Sequence, residues 1–264
     1  MFVSLAMVSV LWLAGAEGDS PSARPPVRDQ MKAAQNLRRE SFKKEPSEKR
    51  RLLLDAVKAY EQIVRDYPQA RAEVAEAWFR QGEILRSLKE DAQATAAFAQ
   101  VLELKDQPRF RARALIESGH LKRRAGDWKS AGTFYQQAMS DHKDQRPEYA
   151  TAWTWFAKAL LAQGQRKEGR ERMLAFEAEF PEYPTRAIQN VDSAAVSLIE
   201  DGQVADAQSL IDGCTARFSD LAERETSVAD DVHRALRRMH APQRLGKAAK
   251  GAAPAAQDDD DDGD

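Results

Sequence analysis

Few side chains in this 264-residue sequence have the type and spacing that catalysis or metal binding requires. Cys214 is the single cysteine, which excludes an intramolecular disulfide and any metal site built from several cysteines. His233 and His240 are seven residues apart and could share a helix face, but two ligands do not complete a zinc site. The sequence also lacks a glycine-rich phosphate loop, an H-E-x-x-H motif and a G-x-S-x-G motif. We therefore predict a protein that is not an enzyme and that binds no cofactor or metal.

The charge of the chain is divided between a mildly basic body and an acidic end. Six of the last seven residues are aspartates (Asp258 to Asp262, and Asp264), so the rest of the chain carries a net charge of +4 against −2 for the whole. This excess is too weak to indicate nucleic-acid binding, which requires a strongly basic face. Residues 241–264 lack aromatic and β-branched side chains, and we predict a disordered acidic tail that could contact the protein's own basic groove.

The first residues resemble a targeting segment rather than part of a folded domain. Residues 2–16 are apolar and uncharged and end in Ala14-Gly15-Ala16, which fits a small-x-small cleavage site. We predict a signal peptide over residues 1–16, a disordered linker over 17–27, and an exported protein that is periplasmic or secreted. An uncleaved membrane anchor is the alternative, and it would be the protein's only link to a membrane. No cysteine stands at the cleavage point, so a lipid anchor is not expected.

An internal repeat of 37 or 38 residues organises the sequence between these ends. Units that start at Ala75, Ala112, Ala150 and Ile188 carry the same kinds of residue at the same offsets. The fourth position is bulky (Trp78, Leu115, Trp153, Val191), the eighth is small (Gly82, Gly119, Ala157, Ala195), and the twenty-fourth is again large (Phe98, Tyr135, Met173, Ile211). Small residues let two antiparallel helices approach closely, and large ones fill the groove beside them. We therefore predict that Trp78, Trp153 and Phe98 pack in the core and that Cys214 is buried.

The spacing predicts an all-α protein of about eleven helices. A solenoid over 28–240 would comprise a degenerate unit (28–68), four units (75–108, 112–145, 150–181 and 188–219) and a capping helix (220–240) that covers the last apolar face. A glycine at the fifteenth position of three units (Gly126, Gly164 and Gly202) suits the left-handed end of a first helix. The first unit has no glycine there and reads Lys89-Glu90-Asp91 instead.

These residues resemble the tetratricopeptide repeat, through Trp78 and Gly82, the Gly126-Asp127-Trp128 turn and the Phe180-Pro181 ending. The family repeat has 34 residues, so each unit here carries three or four more. The resemblance implies a right-handed α-solenoid of antiparallel helix pairs. The Tyr67-Pro68 and Phe180-Pro181 endings look like those of exported bacterial members, such as the outer-membrane-assembly lipoprotein and the Tol-system coordinator protein, so the similarity is to that class.

The resemblance also implies a concave surface lined by first-helix residues at set offsets. In this sequence the surface would present Phe79, Arg86, Arg123 and Asp192 together with the residues that we predict to bind a partner: Arg80, Glu83, Arg113, Glu117, His120, Thr154, Trp155 and Lys158. Phe79 and Glu83 stand where the family's site for a C-terminal carboxylate needs lysine and asparagine, so that specificity is not expected. A solvated face of mixed charge is the alternative interpretation of each of these residues.

The function predicted from the sequence is a non-enzymatic scaffold for protein interactions in the bacterial cell envelope. Its groove would hold an acidic peptide or a partner's helix through charge-assisted hydrogen bonds. The alternative is an accessory component or cryptic enzyme of cell-wall or polysaccharide processing. Glu83 and Glu117 are the groove carboxylates that such an enzyme could use, although neighbouring arginines are unfavourable for a general acid.

Overall fold

The computed structural model describes residues 25–223 and 227–239, and in these ranges the regular structure is entirely helical. The predicted signal peptide (1–16), most of the predicted linker (17–27) and the whole predicted tail (241–264) lie outside the described residues, and the predicted domain boundaries stay predictions. Twelve helices are present in the described ranges: Val27–Ser41 (α1), Pro46–Asp66 (α2), Arg71–Ser87 (α3), Asp91–Leu102 (α4), Pro108–Arg124 (α5), Trp128–Asp141 (α6), Arg146–Ala162 (α7), Arg166–Leu174 (α8), Phe176–Glu179 (α9), Pro184–Glu200 (α10), Val204–Ala222 (α11) and Ser227–Met239 (α12).

The helices form successive hairpins, and each hairpin packs on the next to give the predicted all-α solenoid. The first helices are α1, α3, α5, α7 and α10, and α1–α3, α3–α5 and α5–α7 are in direct contact along the stack. The number of helices exceeds the predicted eleven because the partner of α7 is divided at Ala175 into α8 and α9. The predicted capping helix over 220–240 is also corrected: α11 continues to Ala222, and α12 begins only at Ser227.

Local sequence signals account for where the helices begin and end. Proline occupies the first turn of α2, α5, α7 and α10, where its missing N–H costs nothing. Asp127 caps α6 by accepting a hydrogen bond of 3.0 Å from the Ser130 backbone N–H. Gly126, Gly164 and Gly202 have φ of +78°, +82° and +77° at the ends of their first helices, as predicted. Lys89 takes the same left-handed conformation with φ of +63°, so the first unit makes this turn without glycine.

The core confirms the predicted pairing of small and large residues. Gly82 lies against the ring of Phe98 and Gly119 against the ring of Tyr135, so closely that a methyl group at either glycine would overlap the ring. Phe98 and Cys214 are fully buried, and burial raises the pKa of the Cys214 thiol to about 11.

Within the described residues, no helix combines the length and the apolar character that crossing a membrane requires.

Candidate partner-binding face

The first helices carry a row of polar side chains that runs from α1 to α10, and we call this row the first-helix face. All eight predicted partner-binding residues lie on it, two on α3, three on α5 and three on α7. At its N-terminal end, Glu83 of α3 accepts a hydrogen bond of 2.8 Å from Arg80 and pairs with Arg38 of α1 and Arg113 of α5 at 3.4 and 3.5 Å. One carboxylate thus joins three first helices.

A second ion pair continues the row. Arg86 Nε of α3 lies 2.8 Å from Glu117 Oε2 of α5. Burial alone would lower the pKa of Arg80, but the charges of Glu83 and Glu76 outweigh it and raise that pKa. The charged groups at this end of the face are half-buried and already paired with one another, so the two carboxylates considered for catalysis are both engaged by guanidinium groups.

Phe79 is not part of the surface, contrary to the prediction. Its ring is fully buried, with centroids 5.8 Å from that of Phe98 and 5.9 Å from that of Phe110. The guanidinium of Arg113 covers it at 4.3 Å. A large apolar ring at this offset is removed from water by the neighbouring helices, whereas a polar residue there would remain on the face.

His120 is also buried rather than presented to a partner, with 7% of its surface exposed. Its Nδ1 lies 2.9 Å from the hydroxyl of Tyr135, and its ring meets Trp155 edge-on at 4.7 Å. Burial lowers the pKa of His120 to about 3, and the charges of Arg123, Arg86 and Lys158 act in the same direction. The imidazole is therefore neutral at physiological pH.

The middle of the face carries two cations on one indole, a group that we call the Trp155 cluster (Arg123, Trp155 and Lys158). Arg123 Cζ lies 4.7 Å and Lys158 Nζ 4.5 Å from the centre of the Trp155 ring. All three side chains are partly exposed, and no carboxylate forms an ion pair with Arg123 within the described part of the chain. An aromatic surface flanked by cations can bind a carboxylate and an apolar side chain together.

The C-terminal end of the face is held by hydrogen bonds to two threonine hydroxyl groups. Asn190 of α10 donates to the hydroxyl of Thr154 at 2.9 Å, and Arg186 donates to the hydroxyl of Thr151 at the same distance. Burial lowers the pKa of Arg186. Asp192 lies on α10 and is partly exposed. Within the described residues, no group of three His, Cys, Asp or Glu side chains is placed to hold a metal ion.

The structure thus brings together the predicted residues as a continuous row and removes Phe79 and His120 from its surface. The sequence analysis missed Arg38, Arg186 and Asn190, which join α1 and α10 to this row. Arg38 lies in the degenerate unit, where no offsets could be assigned. Asn190 lies 36 residues after its partner Thr154, so the repeat spacing was the signal that could have revealed it.

Comparison with known proteins agrees with this architecture. The family model described as tetratricopeptide repeat matches residues 76–104. Crystal structures with the same fold include MamA protein (14% identity, TM-score 0.55, covering 76% of this chain and 96% of that chain). They also include the nearly identical TPR-like repeats of a putative kinesin light chain from Podosopora anserina (15% identity, TM-score 0.56, 75% and 97%). A third is Rap protein complexed with competence and sporulation factor (15% identity, TM-score 0.50, 85% and 70%). No curated protein sequence matches the chain.

The stacked hairpins and the row of polar first-helix residues define a helical-repeat scaffold. The family model matches one stretch of this chain, and the described residues share the fold of the solved structures named above.

Proposed function

We propose that this protein is a non-enzymatic scaffold whose first-helix face binds an acidic, extended segment of a partner protein, with the Trp155 cluster at the centre of the site. The observation that carries the proposal is the position of Arg123 and Lys158 at 4.7 and 4.5 Å from one partly exposed indole. Tetratricopeptide-repeat proteins bind protein partners, and the structure of Rap protein with competence and sporulation factor is an example of the same fold in a complex.

The distribution of charge supports an acidic ligand at this point of the face. On α3 and the first part of α5 the arginines are matched by Glu76, Glu83 and Glu117, whereas Arg123 has a tyrosine and an indole as neighbours. A neutral His120 beneath the indole adds no further charge. A carboxylate placed between Arg123 and Lys158 would gain two charge-assisted hydrogen bonds, and the indole would cover an adjacent apolar side chain.

The test uses a fluorescein-labelled acidic peptide of glutamate, aspartate and leucine, titrated with the full chain and followed by anisotropy. We expect Arg123→Gln and Lys158→Gln each to weaken binding about tenfold, since each removes one charge-assisted contact. Lys129→Gln, an exposed lysine on α6, is the matched control and should leave binding unchanged. Unchanged thermal unfolding would show that the variants are folded. Equal binding by all three variants would contradict the proposal.

We further propose that the protein acts outside the cytoplasm, in the bacterial cell envelope or as a secreted protein. The support is the apolar segment over residues 2–16 with its small-x-small ending. Mass spectrometry of the protein isolated from its native cells should find a mature chain that begins near Glu17. A chain that retains residues 1–16 in the cytoplasmic fraction would contradict this location.

A further inference from the structure

A cleft of about 670 Å³ lies at the N-terminal end of the solenoid, apart from the Trp155 cluster. It is formed by the end of α1 and the turn after it, the first half of α2, and the last turn of α3. Its lining includes the apolar side chains of Leu53, Leu88 and Phe42, and Phe42 is the most exposed large apolar residue in the described chain at 65%.

The lining of the cleft is also strongly cationic. Its lining residues include one carboxylate, Glu83, and six cations: Arg38, Lys44, Lys49, Arg50, Arg86 and Lys89. Four of these cations have carboxylate partners; for example, Arg50 lies 2.7 Å from Glu90. Lys49 and Lys89 are exposed, and neither forms an ion pair with another described residue. The cleft therefore has two cations that its own surroundings do not neutralise.

Lys89 stands at a position where a lysine is structurally unfavourable. The other three turns of this kind have glycine at φ between +77° and +82°, whereas Lys89 is held at φ of +63°, a conformation that disfavours residues with a Cβ. The turn alone would be served better by glycine. The lysine instead adds a charge at the edge of the cleft, beside the apolar side chain of Leu88.

One segment of this chain matches both the apolar and the cationic residues of the lining. Residues 252–256 are Ala-Ala-Pro-Ala-Ala, and Asp258–Asp262 and Asp264 follow after Gln257. Eighteen residues (240–257) separate Met239, the last residue of α12, from Asp258, and an extended chain of that length spans up to about 65 Å. From α12 to α3 there are five packed helix-to-helix steps (through α10, α8, α7 and α5) of about 8–10 Å each, or at most about 50 Å. The acidic run can therefore reach the cleft of its own molecule.

We propose that this cleft binds acidic polypeptide, and that residues 252–264 of the same chain occupy it. The small apolar residues of the segment cover Phe42 and Leu88, and its carboxylates pair with Lys49 and Lys89. Tethering keeps the segment at a high effective concentration, so an acidic partner that uses the cleft must displace it. The proposal involves Lys49 and Lys89 and not the Trp155 cluster, so it goes beyond the proposed function and does not depend on it.

The experiment uses a fluorescein-labelled peptide of residues 252–264 and a full-length variant in which the six tail aspartates are replaced by asparagine. We expect this variant to bind the peptide at least about tenfold more tightly than the wild type, in which the native segment competes. Adding Lys49→Gln or Lys89→Gly to the variant should weaken binding about fivefold to tenfold, and raising the salt concentration should do the same. Lys89→Gly restores the glycine of the other turns, so it removes the charge without disturbing the fold.

Two controls separate the possible outcomes. Lys167→Gln removes an exposed lysine on α8 and should leave peptide binding unchanged. Equal peptide binding by the wild type and the tail-neutralised variant would overturn the proposal, because no segment would then be in competition. A loss of binding in Lys158→Gln but not in Lys49→Gln or Lys89→Gly would also overturn it and would place the acidic run on the first-helix face. The first of these results would leave the test with the acidic partner peptide unchanged, because that test depends on Arg123 and Lys158 and not on Lys49 or Lys89.

Discussion

At the scale of single residues, the contacts between glycines and rings decide how closely two helices can pack. Gly82 and Phe98, like Gly119 and Tyr135, belong to consecutive helices of one hairpin and were predicted from their offsets in the repeat. The sequence could reveal these pairs because a small residue opposite a large one is a local property of each repeat. It could not reveal that Phe79 and His120 are buried, because their burial depends on rings supplied by other helices, such as Phe110 and Trp155.

Replacing Gly119 with alanine should therefore destabilise the protein. The added methyl group would overlap the Tyr135 ring, which is fully buried and has no room to move, so we expect a loss of about 1–3 kcal/mol in the free energy of unfolding. Gly213→Ala is the control, because its added Cβ would meet only Arg217 at 3.6 Å and the change should stabilise α11 by up to about 1 kcal/mol. Urea denaturation measures both, and equal effects of the two substitutions would contradict the packing argument.

His120 should make stability depend on pH in a defined range. The unfolded chain binds a proton at this residue near the ordinary pKa of 6.5, whereas the folded protein does so only near a pKa of about 3. Protons thus favour the unfolded state as the pH falls, and stability should decrease by up to about 1.4 kcal/mol per pH unit below pH 6.5. His120→Asn retains a polar group beside Tyr135 but cannot titrate. Between pH 6.5 and 4.5 its unfolding free energy should fall less steeply than that of the wild type, and parallel curves would refute the assignment.

At the scale of elements, the regular spacing of turns and prolines made the hairpins predictable. The irregular turns and helix ends were not predicted. The first unit has no glycine at this turn, which suggested a different backbone conformation from that of the other units. Lys89 nevertheless adopts the left-handed conformation, because the same short connection joins α3 to α4. The division between α8 and α9 has no breaking residue, since the chain there reads Leu174-Ala175-Phe176. The end of α11 at Ala222 likewise lacks a glycine or proline to mark it.

The turn at Lys89 allows a direct measurement of what a side chain costs in this conformation. Lys89→Gly should raise the free energy of unfolding by about 0.5–1 kcal/mol, because glycine adopts a positive φ without strain. Gly126→Ala should lower it by a similar amount at the corresponding turn, where no neighbouring atom lies within 4 Å of the new Cβ and backbone strain alone is at work. Chemical denaturation at neutral pH compares the two. A destabilised Lys89→Gly protein would mean that the lysine side chain contributes more to the fold than its conformation costs.

At the scale of the whole molecule, stability is distributed along the stack, because each hairpin contacts mainly its neighbours. Four clusters of buried apolar residues succeed one another along the chain rather than forming one central core. The first-helix face extends past the boundaries between these apolar clusters. Its ion pairs and the Trp155 cluster therefore connect neighbouring hairpins, in addition to the apolar contacts between them. The repeat pattern predicted that the hairpins stack. It did not predict the side-chain contacts between units, because these depend on how the side chains of one unit are aligned with those of the next.

The last cluster provides a test of this local stability through Cys214. Val232 and Ala235 of α12 are buried in the same cluster as Cys214, which is fully buried and should not react with a thiol reagent at pH 8. Val232→Asp places a charge in that cluster, so α12 should undock and the cysteine should become reactive, while the hairpins from α1 to α7 stay folded because they do not contact α12. Thiol titration and circular dichroism follow the two effects. Val204→Asp, at a position 49% exposed, is the control and should leave Cys214 protected. Complete loss of helix in Val232→Asp would show instead that the solenoid unfolds as a single cooperative unit.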